Sequence, residues 1–201
     1  MFRPCVVVLL LFSVAIPQAQ AQSFAAGVHF ASSDWSEFDG VDRGVGGRLA
    51  WKATPRLGIE ADVTWYPTEF PSDGIAFSGS RVEGLFGASY ALLADGVRPF
   101  VKASGGFLRS SEAPERFPCI TIFPPPLNCL MAAGHTMPAF EFGGGVEIDA
   151  TDRAFVRVDA GARMLRYPGP AFQNGLSEIR DDNFWGTALR FTIGAGYRFA
   201  K

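Results

Sequence analysis

Ser110, Ser111, Glu112 and His135 are the side chains whose types and positions could support nucleophilic catalysis. A serine hydroxyl becomes a nucleophile when a histidine accepts its proton and a carboxylate orients that histidine. The serines and the glutamate follow one predicted strand and His135 precedes the next, so antiparallel pairing would bring them to one rim of a sheet. Serine and glutamate are also ordinary loop residues, and the alternative is a polar loop base without catalytic function.

Cys119 and Cys129 lie in a proline-rich segment, residues 109–135. In an exported protein, two cysteines at this spacing predict a disulfide. Metal binding is the alternative, but the sequence has only two histidines and neither has ligand spacing to the cysteines. The glycine-rich stretches lie within strands and open no helix, so they predict no phosphate site. We therefore expect neither a metal nor a cofactor.

The last strand, residues 184–199, shows most clearly the elements that position these side chains. Large apolar and aromatic residues alternate with small or polar ones along FWGTALRFTIGAGYRF. Alternation with period two predicts a strand with one apolar face. This strand is much longer than the typical five or six residues, and aromatic residues cluster at both of its ends. Such a pattern is typical of a strand with lipid on one side and a polar barrel interior on the other.

Eight strands with this alternation are predicted along the chain. Their ranges are residues 24–31, 43–53, 57–65, 79–92, 97–108, 136–149, 154–166 and 184–199. Four long loops alternate with three short turns, as in outer-membrane barrels, whose long loops are extracellular and whose turns are periplasmic. The predicted fold is an all-β, eight-stranded antiparallel up-and-down transmembrane β-barrel. A soluble periplasmic barrel that binds a ligand would also alternate, with its apolar face inward.

The N-terminal segment has the pattern of a secretory signal peptide. Arg3 precedes the apolar run Cys5–Ile16, and Ala19-Gln20-Ala21 has the small-x-small form of a cleavage site. The run is shorter than the roughly 18 apolar residues of a spanning helix. We expect residues 1–21 to be removed and residues 22–201 to form the barrel domain. The near-neutral formal charge, −2 for the whole chain, indicates no nucleic-acid partner.

Charged side chains recur on the polar faces of the strands, which predicts a charged lumen. An eight-stranded barrel is only wide enough for side chains to fill it, so these groups should pair across the bore and plug it. An anion path is the alternative, since the basic members outnumber the acidic ones. The predicted basic members are Arg48, Lys52, Arg81, Arg98, Lys102, Arg157, Arg163, Arg190 and Arg198, and the acidic members are Glu60, Asp62, Glu83, Glu141, Glu147 and Asp159.

The chain resembles the small OmpA-type outer-membrane β-barrels. The resemblance rests on the signal peptide, on VRPFVKASGGF from Val97, on FEFGGGVEID from Phe140 and on GAGYRF ending at Phe199. It implies that Tyr197 and Phe199 form the signal read by the barrel assembly machinery, although Ala200 and Lys201 follow them. It also implies outer-membrane lipid as the surroundings of the barrel and a possible extracellular ligand at its loops.

The resemblance does not predict an activity, because proteins with this fold include adhesins, structural anchors and enzymes. The lipid A deacylase barrels carry His and Ser two positions apart on one strand, whereas Thr136 and Met137 follow His135 here. The expected function is therefore structural or surface interaction, without catalysis. The alternatives are a lipid-modifying enzyme at a Ser111/His135 rim, a small anion-conducting channel and the soluble ligand-binding barrel.

Overall fold

The computed structural model describes residues 23–35, 41–67, 80–93, 96–111, 136–167, 171–174, 177–180 and 183–199. Within these ranges every regular element is a β-strand, and no helix is long and apolar enough to cross a membrane. The strands are β1 (Ser23–Trp35), β2 (Val41–Lys52), β3 (Leu57–Tyr66), β4 (Arg81–Ala91), β5 (Val97–Ser110), β6 (Thr136–Asp149), β7 (Ala154–Tyr167), β8 (Ala171–Asn174), β9 (Ser177–Arg180) and β10 (Phe184–Arg198).

Eight of these strands close into one antiparallel barrel, in the order β1-β10-β7-β6-β5-β4-β3-β2, with β1 paired to β2. Each strand therefore pairs with its neighbours along the chain, apart from the seam between β1 and β10. At this seam the Phe199 amide donates a hydrogen bond of 2.8 Å to the Phe24 carbonyl. The predicted fold, an eight-stranded up-and-down antiparallel barrel, is confirmed.

Several predicted strand boundaries are wrong, including the start of β2, and one hairpin is missing from the prediction. β1 continues to Trp35, beyond the predicted end at Ala31, because its polar second half still pairs with strands on both sides. Ser33, for example, stands opposite Arg190 on β10 and Asp42 on β2. The segment after β7, which the sequence analysis assigned to a loop, contains the two-stranded hairpin of β8 and β9. Its strands are too short to give a periodic signal.

The two faces of the sheet have the polarity of a membrane barrel. Large apolar side chains point outward, and Val28, Phe191 and Ile193 on adjacent strands are 71%, 49% and 55% exposed. Charged side chains point into the bore and are buried there. A continuous apolar exterior is rare on soluble monomers. The alternative of a soluble barrel, which needs an apolar interior, does not fit this arrangement.

The short turns all lie at one end of the barrel, which we call the turn end, and the opposite end is the loop end. The turns 53–56 and 150–153 are closed in the same way. In each, a threonine hydroxyl, of Thr54 or Thr151, accepts a 2.9 Å hydrogen bond from the amide three residues later. In the third turn Gly96 has a φ of +67°, which glycine adopts without strain. Both ends of the described barrel, Ser23 and Phe199, lie at the turn end.

Candidate functional site

The bore of the barrel contains the candidate site, because it collects the charged residues that the sequence analysis assigned to the lumen. All fifteen take part in ion pairs with other lumen residues. Their contacts define three groups, which we call the rim pair, the central network and the mouth cluster, from the loop end to the turn end.

The rim pair joins Arg81 on β4 to Asp42 on β2. Arg81 Nη2 lies 2.7 Å from Asp42 Oδ1, and Arg81 Nε donates to Asp42 Oδ2 at 3.1 Å. Both side chains are 1% exposed. Two parallel hydrogen bonds of this kind fix the guanidinium in one orientation. The pair therefore holds a long side chain across the loop end of the bore.

Below the rim pair, the central network begins with two arginines that share Glu83. Arg163 Nη1 contacts Glu83 Oε2, and Arg190 Nε lies 3.2 Å from Glu83 Oε1. Arg190 also donates to Glu141 Oε2 and to Thr64 Oγ1, each at 2.9 Å. Each of the four charged side chains is at most 1% exposed. Contacts from β10 to β3, β4 and β6 thus cross the bore at this level.

The next level of the central network is organised around Asp159 on β7. Arg48 Nη1 from β2 lies 3.3 Å away, Arg157 Nε lies 3.2 Å away, and Lys102 Nζ from β5 contacts the other oxygen of the carboxylate. Arg48 Nε also lies 2.7 Å from Asp62 Oδ1. Three cations from β2, β5 and β7 thus surround one buried carboxylate at this level of the bore.

Arg157 ties β7 to β3 across the bore. Its two terminal nitrogens donate to the two oxygens of Glu60, each at 2.8 Å. The guanidinium also lies over the Phe100 ring, 3.9 Å from its centroid, which adds a cation–π contact. The full membership of the central network is Arg48, Glu60, Asp62, Glu83, Lys102, Glu141, Arg157, Asp159, Arg163 and Arg190.

The mouth cluster closes the turn end. It consists of Lys52, Arg98, Glu147, Asp149 and Arg198, from β2, β5, β6 and β10. All three cations contact Glu147. This cluster is the least buried of the three groups, since the Lys52 side chain is 25% exposed and that of Asp149 is 31% exposed.

Two lumen acids, Asp42 and Asp149, are absent from the sequence prediction. Among the residues that the structure describes, they raise the acidic members from the predicted six to eight, against nine basic members. Asp42 stood in a segment interpreted as a loop, and Asp149 stood at the end of a strand. Alternate residues of a strand point to the same face of the sheet, which would have identified both acids. Asp42 points into the bore with Arg48, and Asp149 points into it with Glu147. The surplus positive charge that favoured an anion path is therefore smaller than predicted.

Inward-facing glycines make room for the long side chains. A Cβ added at Gly161 would lie 2.9 Å from Glu141 Oε1, and one at Gly46 would lie 2.6 Å from His29 Nε2. His29 itself is buried, with Nε2 2.8 Å from Thr64 Oγ1 and Nδ1 3.9 Å from Asp62 Oδ1. It is a hydrogen-bonded interior residue.

Part of the loop-end half of the bore is apolar, a feature absent from the sequence prediction. The Tyr167 ring stacks on Phe184 with centroids 5.0 Å apart, and the Tyr66 hydroxyl accepts a 3.3 Å hydrogen bond from Arg163. The layer consists of Ala31, Tyr66, Leu85, Leu108, Met137, Ala139, Leu165, Tyr167 and Ala188. Apolar packing therefore adds to the closure of the bore by charges.

The candidate catalytic rim is described only in part. Ser111 Oγ donates a 2.9 Å hydrogen bond to the Ser80 carbonyl, and Ser110 is buried at the end of β5. Glu112 and His135 lie outside the described residues, as do Cys119 and Cys129. The hydrogen bond from Ser111 connects the start of the loop after β5 to the end of the loop before β4. This contact fits the alternative of a polar loop base without catalytic function. Within the described ranges, no group of histidine, cysteine and acidic side chains has the arrangement of a metal site.

The closed eight-stranded sheet can be compared with known proteins. No protein-family model matches the sequence, and no curated protein sequence matches it. Among solved structures, Neisserial surface protein A is similar with a TM-score of 0.52 and 16% identity, over 89% of this chain and 97% of that chain. The chain has the fold of a small outer-membrane β-barrel.

Two further structures accompany this one at lower similarity. The N-terminal β-barrel domain of Pseudomonas aeruginosa OprF has a TM-score of 0.46 and 14% identity, over 89% of this chain and all of that chain. The outer membrane enzyme PagL has a TM-score of 0.40 and 14% identity, over 83% of this chain and 97% of that chain. Identities this low relate folds and carry no activity across, because unrelated functions share this fold.

Proposed function

We propose that this protein is a non-catalytic outer-membrane β-barrel, closed to ions, that displays its long loops for surface interaction. The observation that carries the proposal is the filling of the bore at successive levels. Three arginines in the bore, Arg81, Arg163 and Arg190, are each at most 1% exposed, whereas side chains that line an open channel would contact water. A side chain becomes this buried only when its neighbours fill the space around it, and eight strands enclose little more than their own side chains.

The outer surface of the barrel favours outer-membrane lipid as its environment. Exposed aromatic side chains occur near both ends of the strands, with Trp65 and Trp185 toward the loops and Tyr90 and Tyr197 toward the turns. Aromatic girdles of this kind lie at the two interfaces of a membrane barrel. With the turns in the periplasm, the long loops face outward and the mouth cluster faces the periplasm. The Tyr197 and Phe199 end of β10 is then the segment that the barrel assembly machinery would recognise.

The loop after β5 is the segment that we propose as a contact surface. Its sequence CITIFPPPLNC places apolar residues between two cysteines and includes three consecutive prolines. Proline and a disulfide both reduce the conformational freedom that a loop loses when it binds. Apolar residues displayed above a membrane favour an extracellular protein or surface as the partner.

The closed bore predicts that the protein does not conduct ions. Purified, refolded protein in planar lipid bilayers is expected to give no stable conductance steps, because the central network and the apolar layer cross the whole bore. Heat-dependent gel mobility on the same sample would show that the silent protein is folded. Stable anion-selective steps that shift in Arg98→Ala or Arg190→Ala would contradict this prediction and make the protein a small channel.

A labelling experiment tests the disulfide and the outward orientation of the loop together. A membrane-impermeant maleimide is expected to leave intact cells unlabelled and to label Cys119 and Cys129 after reduction. The control is Cys119→Ala, which should label at Cys129 without reduction. Labelling of the unreduced wild type would exclude the bridge. Labelling that requires broken cells would place the loop on the periplasmic side and contradict the proposed orientation.

A further inference from the structure

The mouth cluster contains more positive than negative charge. Lys52 Nζ, Arg98 Nη2 and Arg198 Nη2 lie 3.2, 2.8 and 2.6 Å from the same oxygen, Glu147 Oε1. The two arginines also share Asp149 Oδ1, from which Arg198 Nη2 lies 2.7 Å away. Three cations thus converge on two carboxylates, of which Asp149 is partly exposed to solvent and compensates least.

The other two groups in the bore are balanced. The rim pair has one base and one acid, and the central network has five of each. Among the described residues, the ion pairs of the mouth cluster stay within the cluster. In the described part of the chain, the surplus base of the lumen therefore lies at the turn end. An uncompensated charge in a low-dielectric interior is costly unless an opposite charge comes close.

A cavity of about 40 Å³ opens beside this cluster at the turn end. Its charged lining residues are Lys52, Arg98, Glu147 and Arg198 from the cluster, Arg48, Glu60 and Arg157 from the level above, and Arg56 from the turn after β2. Small residues of β1 and β2, namely Ala25, Gly27 and Ala50, form part of its wall. Cations thus outnumber carboxylates among the charged lining residues, and the cavity lies toward the end of the barrel that faces the periplasm in the proposed orientation.

Three donors on these lining residues are buried without an acceptor among the described residues. They are Arg48 Nη2, Arg98 Nε and Arg198 Nε. The Arg198 guanidinium is also held in place by Phe155, whose ring centroid lies 4.7 Å away. A buried N–H group without an acceptor costs about 1–3 kcal/mol. An anion in the adjoining cavity would place negative charge beside these guanidinium groups and accept charge-assisted hydrogen bonds from the ones that line it.

We propose that this cavity binds one small monovalent anion, a halide or a short carboxylate. A single surplus cation calls for a single negative charge. A water molecule needs at least about 10–15 Å³ of accessible volume, so this cavity has room for an anion of a few heavy atoms but not for a nucleotide or a sugar. Arg48, Glu60 and Arg157 of the central network form the inner wall of the site. The anion is therefore held at the mouth of a closed barrel rather than passed through it.

Bromide tests the site directly, because its anomalous scattering locates it in a crystal. Crystals grown with sodium bromide are expected to show an anomalous peak within hydrogen-bond reach of Arg48, Arg98 or Arg198. In solution, Tm is expected to rise saturably with chloride or bromide and to stay unchanged when gluconate replaces the halide at constant ionic strength. Formate in the same series distinguishes a short carboxylate from a halide as the preferred ligand.

Matched variants separate specific binding from general salt effects. Arg98→Gln leaves two cations and two carboxylates in the mouth cluster and is expected to abolish the dependence of Tm on halide. Arg153→Gln makes the same change at an exposed turn position, where the side chain contacts Tyr197, and should keep the full halide effect. If Arg98→Gln fails to fold, the bromide peak in the wild type still decides. An absent peak would overturn the proposal, and so would a peak without a halide-specific change in Tm, since that would mark an adventitious ion only.

Discussion

Replacing Arg190 by methionine is expected to lower the free energy of unfolding by about 3–5 kcal/mol, the usual cost of removing one partner from a buried ion pair. Arg190 contacts Glu83, Glu141 and Thr64 from the centre of the bore, and its side chain is 1% exposed. Methionine preserves much of the side-chain volume, so the loss reflects charge and hydrogen bonds rather than a cavity. The central network would keep five carboxylates against four bases. Urea titration in detergent micelles, followed by tryptophan fluorescence, measures the change.

The double variant Arg190→Met/Glu141→Leu is the informative control, because it returns the central network to four bases and four acids. Lys102, the other partner of Glu141, keeps its contact with Asp159. We expect this variant to recover most of the stability lost in the single variant, since apolar groups of similar size often replace a buried ion pair at little cost. A loss below about 1 kcal/mol in the single variant would be typical of a solvated pair and would contradict the closed bore.

An arginine in place of Ile193 is expected to destabilise the barrel by about 2–4 kcal/mol, the cost of a cationic side chain on the lipid face at the midplane. Ile193 points outward near the middle of β10 and stands opposite Phe30 on β1 and Val158 on β7, both exposed. The charge would have to leave water for hydrocarbon. The measurement is the same urea titration, carried out in phospholipid vesicles so that a bilayer surrounds the barrel.

Phe24→Arg is the matched control for this position. Phe24 is also outward and 58% exposed, but it lies at the turn end of β1, where the interface is close. The expected cost there is about 0–1 kcal/mol. Equal small losses at both positions would mean that Ile193 is not in contact with hydrocarbon. That result would remove the membrane interpretation of the exterior, whatever the state of the bore.

Strand parity explains which parts of this architecture were predictable from the sequence. Each strand has one face toward the bore and one toward lipid. Counting residues along the strand therefore predicts that Arg157 points inward and Phe191 outward. β6, from Thr136 to Asp149, has the predicted bounds. β1 was harder to delimit, since its second half is polar on both faces. Backbone pairing tolerates such a sequence when strands lie on both sides.

The sequence does not predict which charged side chains contact each other inside the bore. Glu60 and Arg157 are 97 positions apart, and only the closed barrel shows that they meet. Parity assigns both to the lumen, yet the strand tilt and register decide which level each reaches. The same limit hid the separation of the charges into groups of different balance. Adding up all lumen charges gives a surplus, but only the distances place it at the mouth.

The long-range ion pairs also constrain how the barrel can form. Arg157 joins β7 to β3, Arg190 joins β10 to β4, and Arg48 joins β2 to β7. None of these pairs is between strands that are neighbours in the barrel, so none can form in an isolated hairpin. An open sheet entering the bilayer would turn these charges toward hydrocarbon, which is costly. Insertion and the meeting of β1 with β10 are therefore coupled steps, and an intermediate with a stable half-barrel inside the membrane is disfavoured.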